Sequence, residues 1–174
     1  MKLMLATIFI AIAFLIFENS AYAQRSKSAL LPASEAKQLT YQCSRPSPKA
    51  FTDTWEPSKA DIEKMESKFS EIKKLEVKDC CIRGAKVNNP EDYYMQYVGI
   101  VLGTKKLIYI SAISTNSHVA HSVETMDGKI IAEEKPDVYW KKHAIMICDG
   151  GNAWGVLYEP ATGKFFDLAI NGVG

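Results

Sequence analysis

The sequence predicts an α+β domain: N-terminal helices packed on an antiparallel sheet of about five strands, cystatin-like or similar, braced by disulfides. Three observations predict it. Ile62, Met65, Phe69, Ile72 and Leu75 recur at steps of three and four, the spacing of one helix face. Beyond residue 90 the pattern changes to short β-branched and aromatic runs divided by Gly and Pro turns. Four cysteines follow an N-terminal segment that reads as an export signal.

The elements follow in order. Residues 24–31 are small and polar and read as a loose arm. Ser34 offers an N-cap for a short helix to about Cys43, and Ser44-Arg45-Pro46-Ser47-Pro48 ends it, because proline cannot continue a helix. The main helix starts at Ser58. Ser58 with Asp61 three residues on resembles a capping box, and Glu76 breaks the apolar stripe, so the helix ends near Leu75. Tyr93–Leu102 and Leu107–Ile113 form a hairpin around Gly103-Thr104-Lys105-Lys106. Both are apolar on both faces in places and belong at the centre of the sheet. Residues 114–139 are polar. They form either a small hairpin turning at Asp127-Gly128 or a long loop. His143–Cys148, Ala153–Tyr158 and Lys164–Ile170 then read as a three-strand meander, with Glu159-Pro160-Ala161-Thr162-Gly163 as its last turn.

Composition bounds the function. The chain has 174 residues, a formal net charge of +1, 47% apolar and 24% charged residues. That balance excludes a disordered chain and lacks the basic surplus of a nucleic-acid binder. Lys2 followed by the uncharged run Leu3–Phe17, then Ala21-Tyr22-Ala23, matches a secretory signal peptide spanning residues 1–23. The run is shorter than the roughly 20 residues of a spanning helix. The expectation is cleavage before Gln24, a single domain over 24–174, no membrane span after cleavage, and a periplasmic or secreted destination.

Cys43, Cys80, Cys81 and Cys148 all lie past the signal, and their even number reads as two disulfides. A bond between adjacent Cys80 and Cys81 closes a small strained ring. The expected pairings are therefore Cys43–Cys80 with Cys81–Cys148, or Cys43–Cys81 with Cys80–Cys148.

The stretch Cys148-Asp149-Gly150-Gly151, Trp154-Gly155-Val156, Tyr158 through Phe165 (YEPATGKF) and Asn171-Gly172 resembles the ending of small exported proteobacterial proteins of unassigned function. Trp55-Glu56-Pro57 and Tyr94-Met95-Gln96-Tyr97 are similar to the same group. The resemblance implies a periplasmic domain and transfers no catalytic residue.

No nucleophile elbow and no phosphate-binding loop is present. His118 and His121 are three apart and His143 opens a predicted strand, but no carboxylate orients them, so no metal site is assigned. Cys148 and His143 point to opposite faces of a strand. Asp149 and Glu159 stand at strand ends near Trp154 and Tyr158, where paired carboxylates could serve glycan hydrolysis, yet nothing fixes their separation. The candidate binding surface is Trp140 with Tyr139, His118, His121 and His143. The reading is a binder without cofactor, whose partner is a protein of the cell envelope, of the inhibitor or immunity type. A small hydrolase and a small-ligand carrier are the alternatives.

Overall fold

A computed structural model of the protein describes residues 27–78, 82–115, 139–148 and 153–172, and the backbone of 123–124 and 130–131. The signal reading over 1–23 lies outside the described residues. Among those described, no helix is long and apolar enough to cross a membrane.

The centre of the molecule is one long hairpin. β3 (Tyr93–Leu102) pairs over its whole length with β4 (Lys105–Ser114), from Tyr93 opposite Ser114 to Leu102 opposite Lys105. The loop is only Gly103-Thr104, so Lys105 and Lys106, expected in the turn, belong to the strand. Gly103 at φ +61° supplies the left-handed first position that a two-residue hairpin loop requires. β7 (Ala153–Glu159) adds beside β4, and β8 (Lys164–Ile170) forms the far edge.

The other edge of β3 is shared end to end by two short strands. β1 (Ser28–Leu30) pairs with 95–97 and β2 (Asp53–Trp55) with 99–101. β1 runs parallel to β3, so the six-stranded sheet is mixed rather than antiparallel. Within the expected loose arm, residues 28–30 are thus a strand. Ala29 and Leu31 sink into the core, and Leu31 N donates to Tyr97 O at 2.9 Å. Residues 123–124 (β5) and 130–131 (β6) form a separate two-stranded ladder, the hairpin alternative for the polar stretch.

Helix is scarce. α1 covers only Ala36–Thr40 after a 3₁₀ turn at Ala33–Glu35, and Ser34 sits inside that turn instead of capping it. α2 covers Lys59–Glu66. Its capping box is as read: Asp61 N donates to Ser58 Oγ at 3.2 Å, and Ser58 N donates to Asp61 Oδ2 at 3.0 Å. The expected helix to Leu75 is instead divided. Ser67 Oγ donates to Lys64 O at 2.8 Å, Lys68 N turns to Met65 O, and the chain goes on as a 3₁₀ turn over Phe69–Lys74. The apolar stripe survives the break. Met65 and Ile72 are fully buried, each contributing about 1.5–3 kcal/mol by leaving water.

Both sheet faces are covered. Met65, Ile72, Val77 and Val87 close the face carrying Tyr97, Ile110, Trp154 and Tyr158. Ala29, Leu31, Ala36, Leu39 and Ala144 close the face carrying Val98, Ile100, Leu107 and Leu157. That double burial is why the middle of β3 and β4 is largely apolar on both faces, with Gln96 and Ser111 as buried exceptions.

His143–Cys148 is not a strand. Its backbone groups bond to side chains of other elements. Ala144 N donates to Glu35 Oε2 (2.8 Å), Ile145 N to Gln96 Oε1 (2.8 Å) and Ile147 N to Gln42 Oε1 (3.0 Å). The carbonyls of Ala144, Ile145 and Ile147 accept from Gln38, Gln42 and Asn171 at 3.3, 3.2 and 2.9 Å. Gln96 Nε2 also donates to the carbonyls of Trp140 and His143.

This strap carries Cys148 to Cys43, with Cα atoms 4.9 Å apart and a disulfide between them. Neither expected pairing is therefore right. Gln42 already bonds the strap at Ile145 and Ile147, so its neighbour Cys43 meets Cys148 rather than the 80–81 region. Cys80 and Cys81 lie outside the described residues. Digestion under non-reducing conditions is expected to release a Cys43–Cys148 cross-linked peptide. Replacing Cys43 by Ser is expected to cost about 2–4 kcal/mol in denaturant unfolding, and no loss would mean that the strap is held by its hydrogen bonds alone.

Candidate functional site

The chain leaving the disulfide enters a proline-bounded segment, Ser44-Arg45-Pro46-Ser47-Pro48. Prolines forbid helix here, and the segment turns at Ser44 and bends at Arg45 with no regular structure after it. Gly172 N donates to Ser44 O at 2.8 Å and ties it to the end of β8. Arg45 is turned inward and is only 4% exposed. Its Nη2 donates to Ser111 Oγ (2.9 Å) and Tyr109 Oη (3.1 Å), its Nε to the same Tyr109 Oη (3.3 Å), and its Nη1 to Asn171 Oδ1 (2.8 Å).

Every acceptor in that set is neutral, and among the described residues no carboxylate pairs with Arg45. A guanidinium stays charged at any physiological pH. Burying one costs several kcal/mol unless its donors are met and its charge is offset. Here the hydrogen bonds are met, and no described carboxylate offsets the charge.

Room for this arrangement comes from Gly155 on β7. A Cβ at that position would stand 2.5 Å from Tyr109 Oη and 3.0 Å from Arg45 Nε, so only glycine fits. Opposite, β8 carries a bulge. Gly155 pairs with Ala169 but Leu157 pairs with Phe166, and Asp167 takes φ +53° to absorb the extra residue. Aspartate tolerates that left-handed backbone better than most residues. Bulges of this kind re-aim side chains at sheet edges.

Gly155, Tyr109 and the bulge line a cleft of about 1020 Å³ at the free edge of β8. One wall is Pro46–Lys49. The other runs from Lys74 to Lys78 and includes Arg83. Apolar surface comes from Leu75, Leu157, Phe166 and Leu168. The rim is basic: Lys49, Lys74, Lys78 and Arg83 are exposed and form no ion pair with a described residue. Of the two described lining carboxylates, Glu76 is already held by Lys86 at 2.8 Å, and that bond and charge pull its pKa down. Asp167 on the bulge is the other.

A second hollow of about 600 Å³ lies beside α2, lined by Glu56, Glu63, Glu66, Ser28 and Tyr97. Glu66 Oε1 accepts from Ser28 Oγ at 2.8 Å and Tyr97 Oη at 3.1 Å. It therefore closes the seam between β1, β3 and α2.

The residues singled out from sequence are dispersed. Tyr139 is 7% exposed and belongs to the core rather than to a surface patch. His143 lies against its ring at 4.6 Å and 3.7 Å from Glu35. Trp140 is half-buried on Tyr94, with Lys141 over its face. His118, His121 and Asp149 lie outside the described residues. Among the described residues, no group of His, Cys, Asp and Glu could hold a metal ion. Cys148 is in a disulfide and offers no thiolate. Glu159 braces the β7–β8 turn, taking Lys105 at 2.9 Å and Thr162 Oγ1 at 2.9 Å; those bonds hold its carboxyl below the ordinary range.

Sequence reasoning missed Arg45 and the basic rim. Arg45 read as part of a helix stop. A charged residue directly before Pro46 and two residues after a cysteine was the available signal. The rim has none, because its four cations come from separate stretches.

No family model, curated protein or solved structure matches the chain. The site is therefore read from its own chemistry.

Two tyrosines give opposite expectations. Tyr109→Phe strips Arg45 of an acceptor and should cost about 1–3 kcal/mol. Tyr158 is fully buried, and its hydroxyl has no hydrogen-bond partner among the described residues. Tyr158→Phe should be neutral or stabilising in the same denaturant titration. Equal losses would refute the assignment of the buried network to Arg45.

Tyr93, Tyr97 and Tyr158 are all held above the ordinary phenol value of 10.0, first by burial and then by the negative charges of Asp92, Glu66, and Asp61 with Glu71, respectively. Their folded pKa values exceed the unfolded ones. The linked stability is full below pH 10.0 and falls as pH rises beyond it, because only the unfolded phenols then release protons. Absorbance titration of phenolate, run with unfolding curves at each pH, checks both parts. A full set of tyrosines ionising near the ordinary value, with stability flat across that range, would contradict the burial argument.

Proposed function

We propose that this protein is an exported, disulfide-braced binding protein that takes its partner at the cleft along β8. One observation carries the reading. The cleft is built over a buried arginine whose charge is met by no carboxylate among the described residues. Stability alone does not favour such a group, since an apolar residue of similar volume would fill the space without the desolvation cost. A binding site that must attract charge does favour it. Export rests on the signal-like segment 1–23, and the Cys43–Cys148 disulfide is compatible with an oxidising compartment. The resemblance of the C-terminal stretch to small exported proteobacterial proteins points the same way. A partner in the cell envelope, of the kind met by inhibitors or immunity proteins, is the corresponding proposal for context.

Photo-crosslinking in cells tests the reading. A photoreactive residue replaces Phe166 in the cleft, and in a second strain Trp140 on the strap. Specific adducts from position 166 are expected. Adducts from position 140 alone would move the binding face to the strap and overturn the cleft assignment.

A further inference from the structure

We infer that the cleft is shaped for an amphiphilic anion: a molecule with a carboxylate or phosphate head and an apolar body. The inference rests on the reading of the cleft as the binding site and adds the chemical class of its occupant.

Two chemistries meet in one cavity. Leu75, Leu157, Phe166 and Leu168 give it an apolar interior surface, while Lys49, Lys74, Lys78 and Arg83 surround it with cations. Those four cations form no ion pair with a described residue. Glu76 is engaged by Lys86, which leaves Asp167 as the one described lining carboxylate that forms no ion pair with a described residue. Behind the floor, Arg45 adds a positive charge whose acceptors among the described residues are all neutral, next to Tyr109 and Gly155. The low-dielectric walls concentrate that field, so an anion is drawn in and a cation is repelled.

Volume decides the rest. At about 1020 Å³ the cleft reaches the upper end of small-molecule sites. A lone inorganic anion would occupy a small part of it and leave the apolar lining wet. An apolar body covers that lining while its head stays among the lysines. Addition of a long peptide strand to β8 fits less well, because the bulge at Asp167 interrupts the edge that a strand would pair with.

The probes are decanoate, decyltrimethylammonium, a neutral decyl glycoside and inorganic phosphate. Each is titrated below its micelle concentration into the purified exported protein. Calorimetry gives affinity, and amide NMR shifts give position. Decanoate is expected to bind one to one and to shift amides of Gly155, Leu157 and 165–169. The Lys74→Ala/Lys78→Ala variant alters two exposed residues that form no ion pair with a described residue, so its melting temperature should be unchanged. Its affinity for decanoate should fall about tenfold or more, and added salt should weaken binding to the parent protein.

Phosphate binding as tightly as decanoate would overturn the apolar body. Equal binding of the cationic or neutral probe at the same amides would overturn the anionic class and leave the cleft as a binding site. If no probe shifts these amides while crosslinks still form at position 166, the amphiphile is wrong and a protein segment occupies the cleft. If neither shifts nor crosslinks appear there, the binding reading itself falls.

Discussion

The fold turns on one problem of backbone chemistry: the strap over 139–148 crosses a sheet face without a strand beside it. Its amides and carbonyls still need partners, because unpaired polar groups in such a place cost free energy. Glu35, Gln38, Gln42, Gln96 and Asn171 supply them, drawn from the 3₁₀ turn before α1, α1 itself, the segment after it, β3 and the end of β8. Carboxamides suit the task because each can donate and accept at once. Gln96 does both for one stretch, donating to Trp140 and His143 while accepting from Ile145.

The rest follows from that arrangement. Once Gln42 grips the strap, Cys43 is set beside Cys148, and the disulfide locks a contact already specified by hydrogen bonds. The chain then has one direction to go, across the end of the sheet, and Arg45 is carried under Pro46 into the space that Gly155 leaves open. Asn171 belongs to both systems. Its Nδ2 donates to Ile147 O in the strap, and its Oδ1 accepts from Arg45. A single buried asparagine thus couples closure of one sheet face to the floor of the cleft.

The cleft occupies the part of the molecule where regular structure is weakest. β8 is an edge strand with a bulge, the proline-bounded segment has no secondary structure, and the opposite wall starts where a 3₁₀ turn ends. Edges and irregular backbone are where a sheet can present side chains to a ligand without breaking its own ladder. The long hairpin of β3 and β4, buried on both faces, provides the rigid reference for these parts.

What the sequence determined by itself was local. The limits of β3 and β8 were legible to the residue, because aromatic and β-branched runs end at glycine and polar turns. The Ser58–Asp61 capping box was legible because its partners are three residues apart. So was the apolar stripe through Met65 and Ile72, which held even where the helix broke into a 3₁₀ turn. Tertiary structure alone decided four things. It drew Ser28–Leu30 into the sheet as a parallel strand, made His143–Cys148 a side-chain-bonded strap, paired Cys43 with Cys148 over a separation of 105 residues, and gathered Lys49, Lys74, Lys78 and Arg83 around one cleft. The physical reason is common to all four. Periodicity and propensity report on neighbours along the chain, whereas the partner of an amide, a thiol or a charge is chosen by whatever the packed core brings next to it.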